Sequence, residues 1–515
     1  MKKRLFTKLL ITSALITALT AGATLVSQAS GHMVFGQTQT YSSLDPSNEY
    51  DGWMIERAGV GETLTKLDSS MNTVGCLVED DYSVSEDGLT WTFTIKDEVC
   101  FSNGTKLTAE LAMASIQYDF DNSARAADFF SLDSMTADGQ TLTITTAEPA
   151  PTLPGMLADP FFVIFDTTGD LTNLADEGPI CTGPYVIESN DQISMTLNVV
   201  KNENYWDGEP QLDSIEFLQF QDPSVMNLSF QAGELDACYG LSTSDAAAYM
   251  EDDNYILEMC NGLRTDWGLM NQNGLLSDKS LRIALLECLD METICEVQLN
   301  GMFQAGNTPF ASEALGVNDL ENPYSYDIED AAAVLAEAGY ADTDGDGIIE
   351  NADGTPVILE AYSYTTRAEL PIICEALQYA ASTLGIKINI NYVQDLWAGT
   401  IQDGSYDICI FNSSGFHSGD AAVFLQQFFK SDAVYNAYGY ANEEVDALIT
   451  SLENVFDTEE RVEIEREISQ ILMDDACCAF YSYPTIYIAA KNTVSGLECT
   501  PADYYWITAD VAMTE

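Results

Sequence analysis

The sequence predicts a mixed α/β (α+β) fold with more than one domain, because segments with strand and helix patterns alternate along a long chain. The chain has 515 residues, and a single hydrophobic core seldom extends beyond about 250–300 residues, so two or three domains are expected. Hydrophobic residues make up 46% of the composition and aromatic residues 10%, which is enough for packed domains. Interleaved strands and helices of this kind indicate a layered architecture.

Residues 1–30 have the three-part pattern of an export signal. Basic residues near the start precede the apolar stretch 9–26, which has no acidic residue, and small residues follow around Ala29. We therefore expect a signal peptide over 1–30 and an exported mature chain, in the periplasm or at the cell surface. No lipobox cysteine is seen, since the first cysteine is Cys76. Either the protein is free in a periplasm or its natural start has been replaced.

Local patterns predict the elements of the mature chain. Apolar residues alternate with threonine over 89–95, after a turn at 86–88, which predicts a half-buried strand. Thr108 can cap a helix that continues through Tyr118, because its hydroxyl can accept a hydrogen bond from a free N–H of the first turn. The other predicted elements are strands at 194–200, 356–362 and 479–490 and helices at 281–288, 291–299, 328–338, 443–452 and 459–473.

The charge balance excludes one class of partner. The chain has 82 Asp and Glu against 19 Lys and Arg, a formal net charge of −63. Such a surface repels phosphate backbones, so no nucleic acid is expected as a partner, and it also repels anionic lipid headgroups. We interpret the acidity as a source of solubility.

Residue types that carry catalysis are scarce. Twelve cysteines are present, none in a CxxC pair, so buried free thiols are favoured over disulfides. With only His32 and His417 available, an HExxH zinc site is excluded, and neither a GxSxG elbow nor a GxxxxGK[ST] loop occurs. The chain is therefore predicted not to be an enzyme. Because any carboxylate pair can be proposed among 82 acidic residues, a secreted hydrolase with an unrecognised carboxylate site is the alternative.

One acidic loop matches the spacing of a calcium-binding EF-hand loop. Oxygen-bearing residues stand at its first, third, fifth and ninth positions, a glycine at its sixth and a carboxylate at its twelfth. A structural Ca²⁺ site is the hypothesis, although an aspartate replaces the usual glutamate at the last position, and a polar surface loop before a strand is the favoured alternative. The candidate metal ligands are Asp342, Asp344, Asp346, Glu350 and Asp353.

Several segments, taken in order, resemble the peptide/nickel class of bacterial extracellular solute-binding proteins (family 5) of ABC importers. Each segment is short, but together they extend over nearly the whole mature chain. The segments are LVEDDYSVSEDGLTWTFTI (77–95), VCFSNGTKLTA (99–109), TGPY (182–185), NENYWDGEP (202–210), FQAGELD (230–236), LRIALLECLD (281–290), AEAGY (336–340) and YANEEVD (440–446).

The resemblance implies a periplasmic-binding-protein-like clamp of two lobes with an extra subdomain. Lobe I is expected to be discontinuous, the extra subdomain to follow its first segment, and the chain to cross between lobes near 267–271 and 482–488. The expected bounds are 33–70, 180–270 and 483–515 for lobe I, 71–179 for the extra subdomain and 271–482 for lobe II.

The resemblance also implies function and partners. A ligand binds in the cleft, the lobes close around it, and the closed form delivers it to an ABC permease powered by separate ATPase subunits. The expected ligand is a short peptide or a nickel or other metal chelate, with no resident cofactor required. We expect the mature protein to be a monomer.

Candidate pocket residues follow from matching positions one at a time. Met54, preceded by Trp53, falls where nickel-type members place a pocket methionine, although both residues could equally be packing of the cleft wall. Arg125 falls on a pocket arginine that would hold a ligand carboxylate. Asp159 stands where nickel-type members have a second such arginine, which suggests a less anionic or partly cationic ligand.

Two further pocket positions depart from both ligand types. Gly415 replaces a pocket tryptophan, and Ala422 stands where nickel-type members have a metal-facing histidine and dipeptide binders have an aspartate for the peptide ammonium. His417 and Asp420 are expected to supply replacement polar contacts. His417 is interpreted either as a metal ligand or as a loop histidine bonded to its neighbours, and the second interpretation is favoured.

Overall fold

The computed structural model describes residues 31–250, 252–311, 320–416 and 418–514. The predicted signal peptide and His417 lie outside the described residues. Strands and helices alternate along the chain, so the predicted mixed α/β class is confirmed. Within the described residues, no helix has both the length and the apolar character needed to cross a bilayer.

The strands are numbered in chain order. They are β1 (His32–Gln37), β2 (Thr65–Leu67), β3 (Thr73–Gly75), β4 (Ser83–Val84), β5 (Thr90–Thr94), β6 (Leu132–Asp138), β7 (Thr141–Thr146), β8 (Tyr185–Asp191), β9 (Thr196–Lys201), β10 (Ser214–Gln219), β11 (Ala237–Tyr239), β12 (Tyr255–Asn261), β13 (Arg264–Met270), β14 (Phe303–Ala305), β15 (Ile358–Ser363), β16 (Lys387–Tyr392), β17 (Ile408–Ser414), β18 (Cys478–Lys491), β19 (Val494–Ser495) and β20 (Ala512–Met513).

The helices are named by their bounds. The α-helices are Gly52–Arg57, Ala109–Asn122, Ala126–Phe129, Leu153–Met156, Leu174–Glu177, Pro223–Gln231, Thr243–Ala247, Lys279–Glu287, Met291–Thr293, Ile328–Glu337, Glu369–Thr383, Ala422–Phe428, Glu443–Ser451 and Thr458–Asp474. Pro160–Phe162 and Leu275–Ser277 are 3₁₀ turns, and Ile294–Gln298 and Trp397–Ile401 are π-helical.

Local hydrogen bonds explain why the predicted helices begin where they do. The Thr108 hydroxyl accepts from the Leu111 N–H, and the helix continues to Asn122, one turn beyond its predicted end. Asp327 and Asn442 cap their helices in the same way, as N-capping predicts. The predicted helix 291–299 is different, since a short α-helical turn passes into a π-helix.

A 12-stranded sheet connects the two halves of the molecule, in the order β16-β15-β17-β13-β18-β11-β1-β10-β9-β8, with β12 and β14 also paired to β18. Strand β18 is shared. Its first part pairs with β13 and β14, and its second part pairs with β11 and β12. We call the β1 side the first half and the β13 side the second half.

The chain changes halves at two neighbouring places. Strands β12 and β13 belong to different halves and are separated only by Gly262 and Leu263, while β18 changes partners near Pro484. The second crossing falls inside the predicted range 482–488. The first lies before the predicted range 267–271, because β13 pairs with β17 from its first residue. The predicted lobe bounds themselves stay predictions.

A smaller sheet, β4-β5-β7-β6, forms a separate layer with helix Ala109–Asn122 packed on it. Trp91 and Phe93 of β5 point into its core, and the alternating threonines lie on the opposite face. The predicted period of two is therefore confirmed.

The two halves are in contact. Around fully buried Trp267 of the second half, one apolar cluster includes Leu67, Ala158 and Tyr504, which come from segments next to the first half and the small sheet. The two halves are therefore packed against each other in this structure.

Candidate ligand-binding cleft

A cavity of about 540 Å³ lies where the two halves meet. Two other cavities, of about 460 and 480 Å³, lie within the second half and between the small sheet and the second half. We select the first because it alone among these three is lined by both crossing strands. Its walls include segments 38–39, 239–243, 262–264, 364–369, 484–487 and 501–504, together with Trp53.

Sheet order brings two distant arginines to this cavity. Strand β13 runs antiparallel to β17, with Arg264 opposite Ser414, the last residue of β17. Strand β15 runs parallel to β17 and ends at Ser363, so the following turn with Arg367 emerges at the same edge. Arg264 and Arg367 both line the cavity as a result.

These arginines have few direct hydrogen-bond partners, although the negative charges of Glu369 and Asp503 act on Arg367 and Arg264 respectively. Arg264 donates one hydrogen bond, of 3.3 Å, to the side-chain oxygen of Asn412. Arg367 makes no hydrogen bond or ion pair with any described residue. Burial, and after it the positive charge of Arg367, lowers the pKa of Arg264 to about 10. The cavity therefore holds two cations that repel each other, in a chain of net charge −63.

Two carboxylates line the same space, Glu369 and Asp503, and Asp503 is paired with Arg57. Glu369, the first residue of helix Glu369–Thr383, lines the cavity, is 7% exposed, and its Oε1 has no hydrogen-bond partner among the described residues. Burial raises the pKa of Glu369, and the charges of Arg367 and Arg264 oppose that shift. The arrangement can accept a hydrogen bond from a ligand.

Asp266 lies behind this wall and is already satisfied. It is fully buried and accepts hydrogen bonds from Asn412 Nδ2 at 2.8 Å and Ser482 Oγ at 2.5 Å. Burial, followed by the negative charge of Glu369, raises the pKa of Asp266 to about 8. The proton of Asp266 is therefore held more tightly than that of an exposed aspartate.

The first half contributes an aromatic wall. The rings of Trp53 and Tyr504 meet edge to face at 5.0 Å, and the buried Trp53 Nε1–H has no partner among the described residues. Beside them, Arg57 pairs with Asp503 at 2.5 Å and lies over the Trp506 ring. Unlike Arg264 and Arg367, Arg57 is neutralised within the protein.

The predicted pocket residues are dispersed. Trp53 lines the cavity, whereas Met54 is buried with its sulfur 3.1 Å from Gln37 Nε2. Arg125 lies outside the lining, with its guanidinium over the rings of Tyr50, Phe129 and Phe161 at 4.3, 4.9 and 5.0 Å. It also donates to the Glu49 carbonyl at 2.6 Å.

The two predicted pocket aspartates have internal partners. Asp159 is 1% exposed, and its Oδ1 accepts from the Phe161 N–H at 2.9 Å, which caps a 3₁₀ turn. Asp420 forms a two-pronged ion pair with Arg461, at 2.7 and 2.8 Å. Ligand contacts by these residues stay predictions, and His417 lies outside the described part of the chain.

Sequence reasoning missed Arg264, Arg367 and Glu369. The sequence signal that could have found the two arginines is the small number of basic residues. Because the chain has only 19 of them, an arginine beside aromatic and apolar residues is unusual. Arg264 follows Leu263, and Arg367 follows closely after Tyr364.

The acidic loop brings together four of its five predicted metal ligands. Oxygens of Asp342, Asp344, Asp346 and Glu350 all lie within 4.8 Å of one another. Asp353 is not in this group, and a calcium role for it has no geometric support. The Glu350 carboxylate accepts from both the N–H and the hydroxyl of Thr343.

All twelve cysteines lie in the described residues and none forms a disulfide. Cys477 and Cys478 are adjacent and buried, with their sulfurs 3.3 Å apart. The expectation of free thiols agrees with this arrangement.

Comparison with known proteins identifies close relatives. The family model of bacterial extracellular solute-binding proteins, family 5 Middle, matches residues 72–436. The nickel-binding protein NikA of Staphylococcus aureus is 28% identical over 454 residues, which cover 88% of each chain. Its crystal structure in complex with Ni(L-His)₂ matches with a TM-score of 0.75 at 26% identity and covers 94% of this chain and 99% of that one.

Two further solved structures match this chain over nearly its whole length. The nickel ABC transporter structure from Bacillus halodurans has a TM-score of 0.81 at 27% identity, covering 93% of this chain and 99% of that one. The oligopeptide-binding protein AppA of Bacillus subtilis, solved with a nonapeptide, matches in fold with a TM-score of 0.74 at 21% identity, covering 95% and 100%. The expected two-lobed clamp is confirmed. Because the family model spans most of the sequence, the chain belongs to the bacterial extracellular solute-binding proteins of family 5, the peptide/nickel class that serves ABC importers.

Proposed function

We propose that this protein is an exported receptor that captures a small ligand with a carboxylate group in the cleft and delivers it to an ABC permease. The observation that carries the proposal is the pair of cavity-lining arginines, Arg264 and Arg367, without an ionic partner among the described residues. The charge of Arg367 disfavours the charged form of Arg264 in the empty site, and an anion between the two guanidinium groups relieves that repulsion. Guanidinium groups match carboxylates in geometry and bind them with charge-assisted hydrogen bonds.

The ligand class is a short peptide or a nickel chelate, as the relatives suggest. A cavity of about 540 Å³ is within the usual range for small ligands. Its described lining residues include no histidine or cysteine, so a nickel ion there would keep its organic ligands. Ni(L-His)₂, found in the S. aureus relative, has carboxylates that suit Arg264 and Arg367.

Closure follows from the placement of the walls. Trp53 and Tyr504 belong to segments near the first half, whereas Arg367 and Glu369 follow β15 in the second half. A ligand that contacts both walls binds the closed form more tightly than the open one, so it shifts the population towards closure. The closed form, a monomer in this proposal, is then the species presented to the permease and its ATPase subunits.

Calorimetric titration of the mature protein tests the proposal. We expect saturable binding of Ni(L-His)₂ or L-Ala-L-Ala without consumption of either, and a roughly tenfold to hundredfold weaker Kd in Arg367→Ala, since one charged hydrogen bond contributes about 1.5–3 kcal/mol. Lys387→Ala is the matched control, because Lys387 is an exposed cation on β16 of the same half. Equal affinity of Arg367→Ala and wild type would remove the arginines from the site. Turnover of a probe would favour the hydrolase alternative.

A further inference from the structure

We propose that Glu369 forms a second subsite in the cleft, for a protonated amine or a metal-bound N–H group on the same ligand whose carboxylate meets Arg264 and Arg367. The inference rests on the proposed function, and it narrows the ligand class to molecules with an α-amino-acid unit. Its basis is geometric: a cavity-lining carboxylate beside two cations, with one oxygen unused.

The free oxygen of Glu369 needs an outside donor. The side chain is 7% exposed, and its Oε1 is shielded from bulk water yet lacks a hydrogen-bond partner among the described residues. Buried carboxylate oxygens are normally paired, because a buried acceptor without a donor loses the hydrogen bonds that water supplied. A group brought by the ligand would supply the missing donor.

None of the described residues supplies that donor. Neither Arg264 nor Arg367 lies within ion-pair distance of Glu369, although the charges of both favour its ionised form. Asp266, behind the wall, already accepts two hydrogen bonds and is fully buried, and the cavity-lining Asp503 accepts from Arg57. Position at the start of helix Glu369–Thr383 further favours a negative charge on Glu369, because the helix N-terminus carries partial positive charge.

The adjacent charges define the ligand chemically. A group of two cations next to one carboxylate is complementary to a carboxylate next to an amine, which is the shared part of free amino acids, short peptides and amino-acid chelates. Ala422, at the position where the dipeptide binders have an ammonium-binding aspartate, has no charge to offer. Glu369 is on a different element, the helix that follows β15, so the amine would be held from that helix rather than from the segment that follows β17.

The remaining lining fits the rest of such a ligand. Phe303, Ile372 and Tyr487 also line the cavity and offer apolar surface for a side chain. The Trp53 Nε1–H on the facing wall is a further unused donor. The cavity thus combines charge recognition of the backbone-like part of the ligand with apolar contact for its side chain.

Amine-bearing and amine-free probes with Glu369→Gln test the inference. The probe pairs are L-Ala-L-Ala with its N-acetyl form, and Ni²⁺ with L-histidine or with imidazole propionate, the same molecule without its amine. Glu369→Gln keeps the shape and removes the charge, and we expect at least tenfold weaker binding of each amine-bearing probe and less than twofold change for its amine-free partner. Glu375→Gln, an exposed change on the same helix, is the matched control.

The outcomes separate this inference from the proposed function. Arg367→Ala weakens both members of a pair if the arginines bind carboxylate, whatever Glu369 does. The subsite is wrong if Arg367→Ala weakens binding while Glu369→Gln affects both members of a pair equally or neither of them. If wild type binds none of the four probes, or if Arg367→Ala changes no affinity, the proposed function fails and the subsite fails with it. Unchanged thermal unfolding of Glu369→Gln confirms that the comparison is between folded proteins.

Discussion

Two groups of charged residues in this molecule differ in how their charges are satisfied. Arg125, Asp159 and Asp420, chosen by their positions in the sequence, each have partners inside the protein. Arg264 and Arg367, where the two halves meet, have between them a single hydrogen bond, of 3.3 Å, to the part of the chain that the structure describes. A charged group with an internal partner contributes to the stability of the fold, whereas a buried charged group without one is a candidate for binding a ligand. The lack of an internal partner, rather than the type of residue, therefore identifies the candidate binding site.

The largest effect is expected from breaking an internally satisfied pair. Asp420→Ala leaves Arg461, whose side chain is 5% exposed, without its carboxylate, and we expect a loss of roughly 3 kcal/mol in the free energy of unfolding. This is the lower end of the range for a broken buried pair, because Glu465 lies close enough to take over part of the negative charge. Urea denaturation measures the loss.

The control for that prediction is an exposed pair. Asp97→Ala removes the partner of Lys106, whose side chain is 53% exposed, and we expect a loss below about 0.5 kcal/mol. If Asp420→Ala instead leaves stability unchanged and abolishes binding, Asp420 belongs to the ligand site and the contrast between the two groups disappears.

Arg264→Ala should give the opposite result. Arg264 makes one long hydrogen bond and is repelled by Arg367, so its removal should cost less than about 1 kcal/mol of stability or even raise it. Binding of a carboxylate probe such as N-acetyl-L-Ala-L-Ala should weaken roughly tenfold or more. Calorimetric titration and urea denaturation of the same preparation measure both quantities. A large loss of stability with unchanged affinity would place Arg264 among the structural charges.

Raising the pH should weaken binding of the same amine-free probe. Asp266, with a pKa of about 8, gains negative charge above that pH, while the arginines stay charged. The new negative charge disfavours a bound carboxylate, so we expect affinity to fall about tenfold between pH 7 and pH 9.5. Asp266→Asn should remove the part of the fall centred near pH 8. An affinity independent of pH over this range would contradict the arrangement.

The sequence predicted the local features of this molecule well, for a physical reason. Helix starts at Thr108, Asp327 and Asn442 depend on hydrogen bonds to residues two or three positions away, and the strand at β5 depends on alternation within five residues. Both kinds of pattern are contained in a short stretch of chain. The resemblance to a family supplied the two-lobed clamp.

The charged residues of the cleft could not be predicted from short-range sequence patterns. Arg264 and Arg367 are brought together by the order β15-β17-β13, and no short-range pattern specifies that order. The first crossing was predicted a few residues too far along the chain for the same reason. The buried residues of β13 have the same apolar pattern whichever half of the sheet the strand belongs to. Matching pocket positions to a family also failed to reveal which charges have partners, since that depends on the surrounding packing.

A contact far from the cavity should tune affinity by a smaller amount. The Phe456 ring, in the second half, lies 6.3 Å from that of Trp91 in the small sheet. It also covers Gly88, where any Cβ would fall 2.5 Å from the Phe456 ring. The contact requires the small sheet and the second half to be packed together, so we expect it to stabilise the closed form. Phe456→Ala should therefore weaken binding of Ni(L-His)₂ or L-Ala-L-Ala roughly threefold to tenfold, as expected for an aromatic pair of about 0.5–1.5 kcal/mol. Small-angle scattering should show a larger mean radius without ligand, and unchanged scattering together with unchanged affinity would remove this contact from the closing surface.

The smallest effect on affinity is expected at Arg125, where the two ways of choosing a site disagree. Position in the sequence predicts that Arg125→Ala weakens binding of a carboxylate ligand and leaves folding intact. The geometry predicts less than a twofold change in Kd, because the guanidinium is held over three aromatic rings and a backbone carbonyl outside the cavity lining. Loss of those ring contacts should instead lower stability by about 1 kcal/mol. Titration of Arg125→Ala and Arg264→Ala with N-acetyl-L-Ala-L-Ala decides between the two predictions. If both variants lose a similar amount of affinity, Arg125 contacts the ligand. Its side chain would then have to leave its aromatic neighbours when the ligand binds.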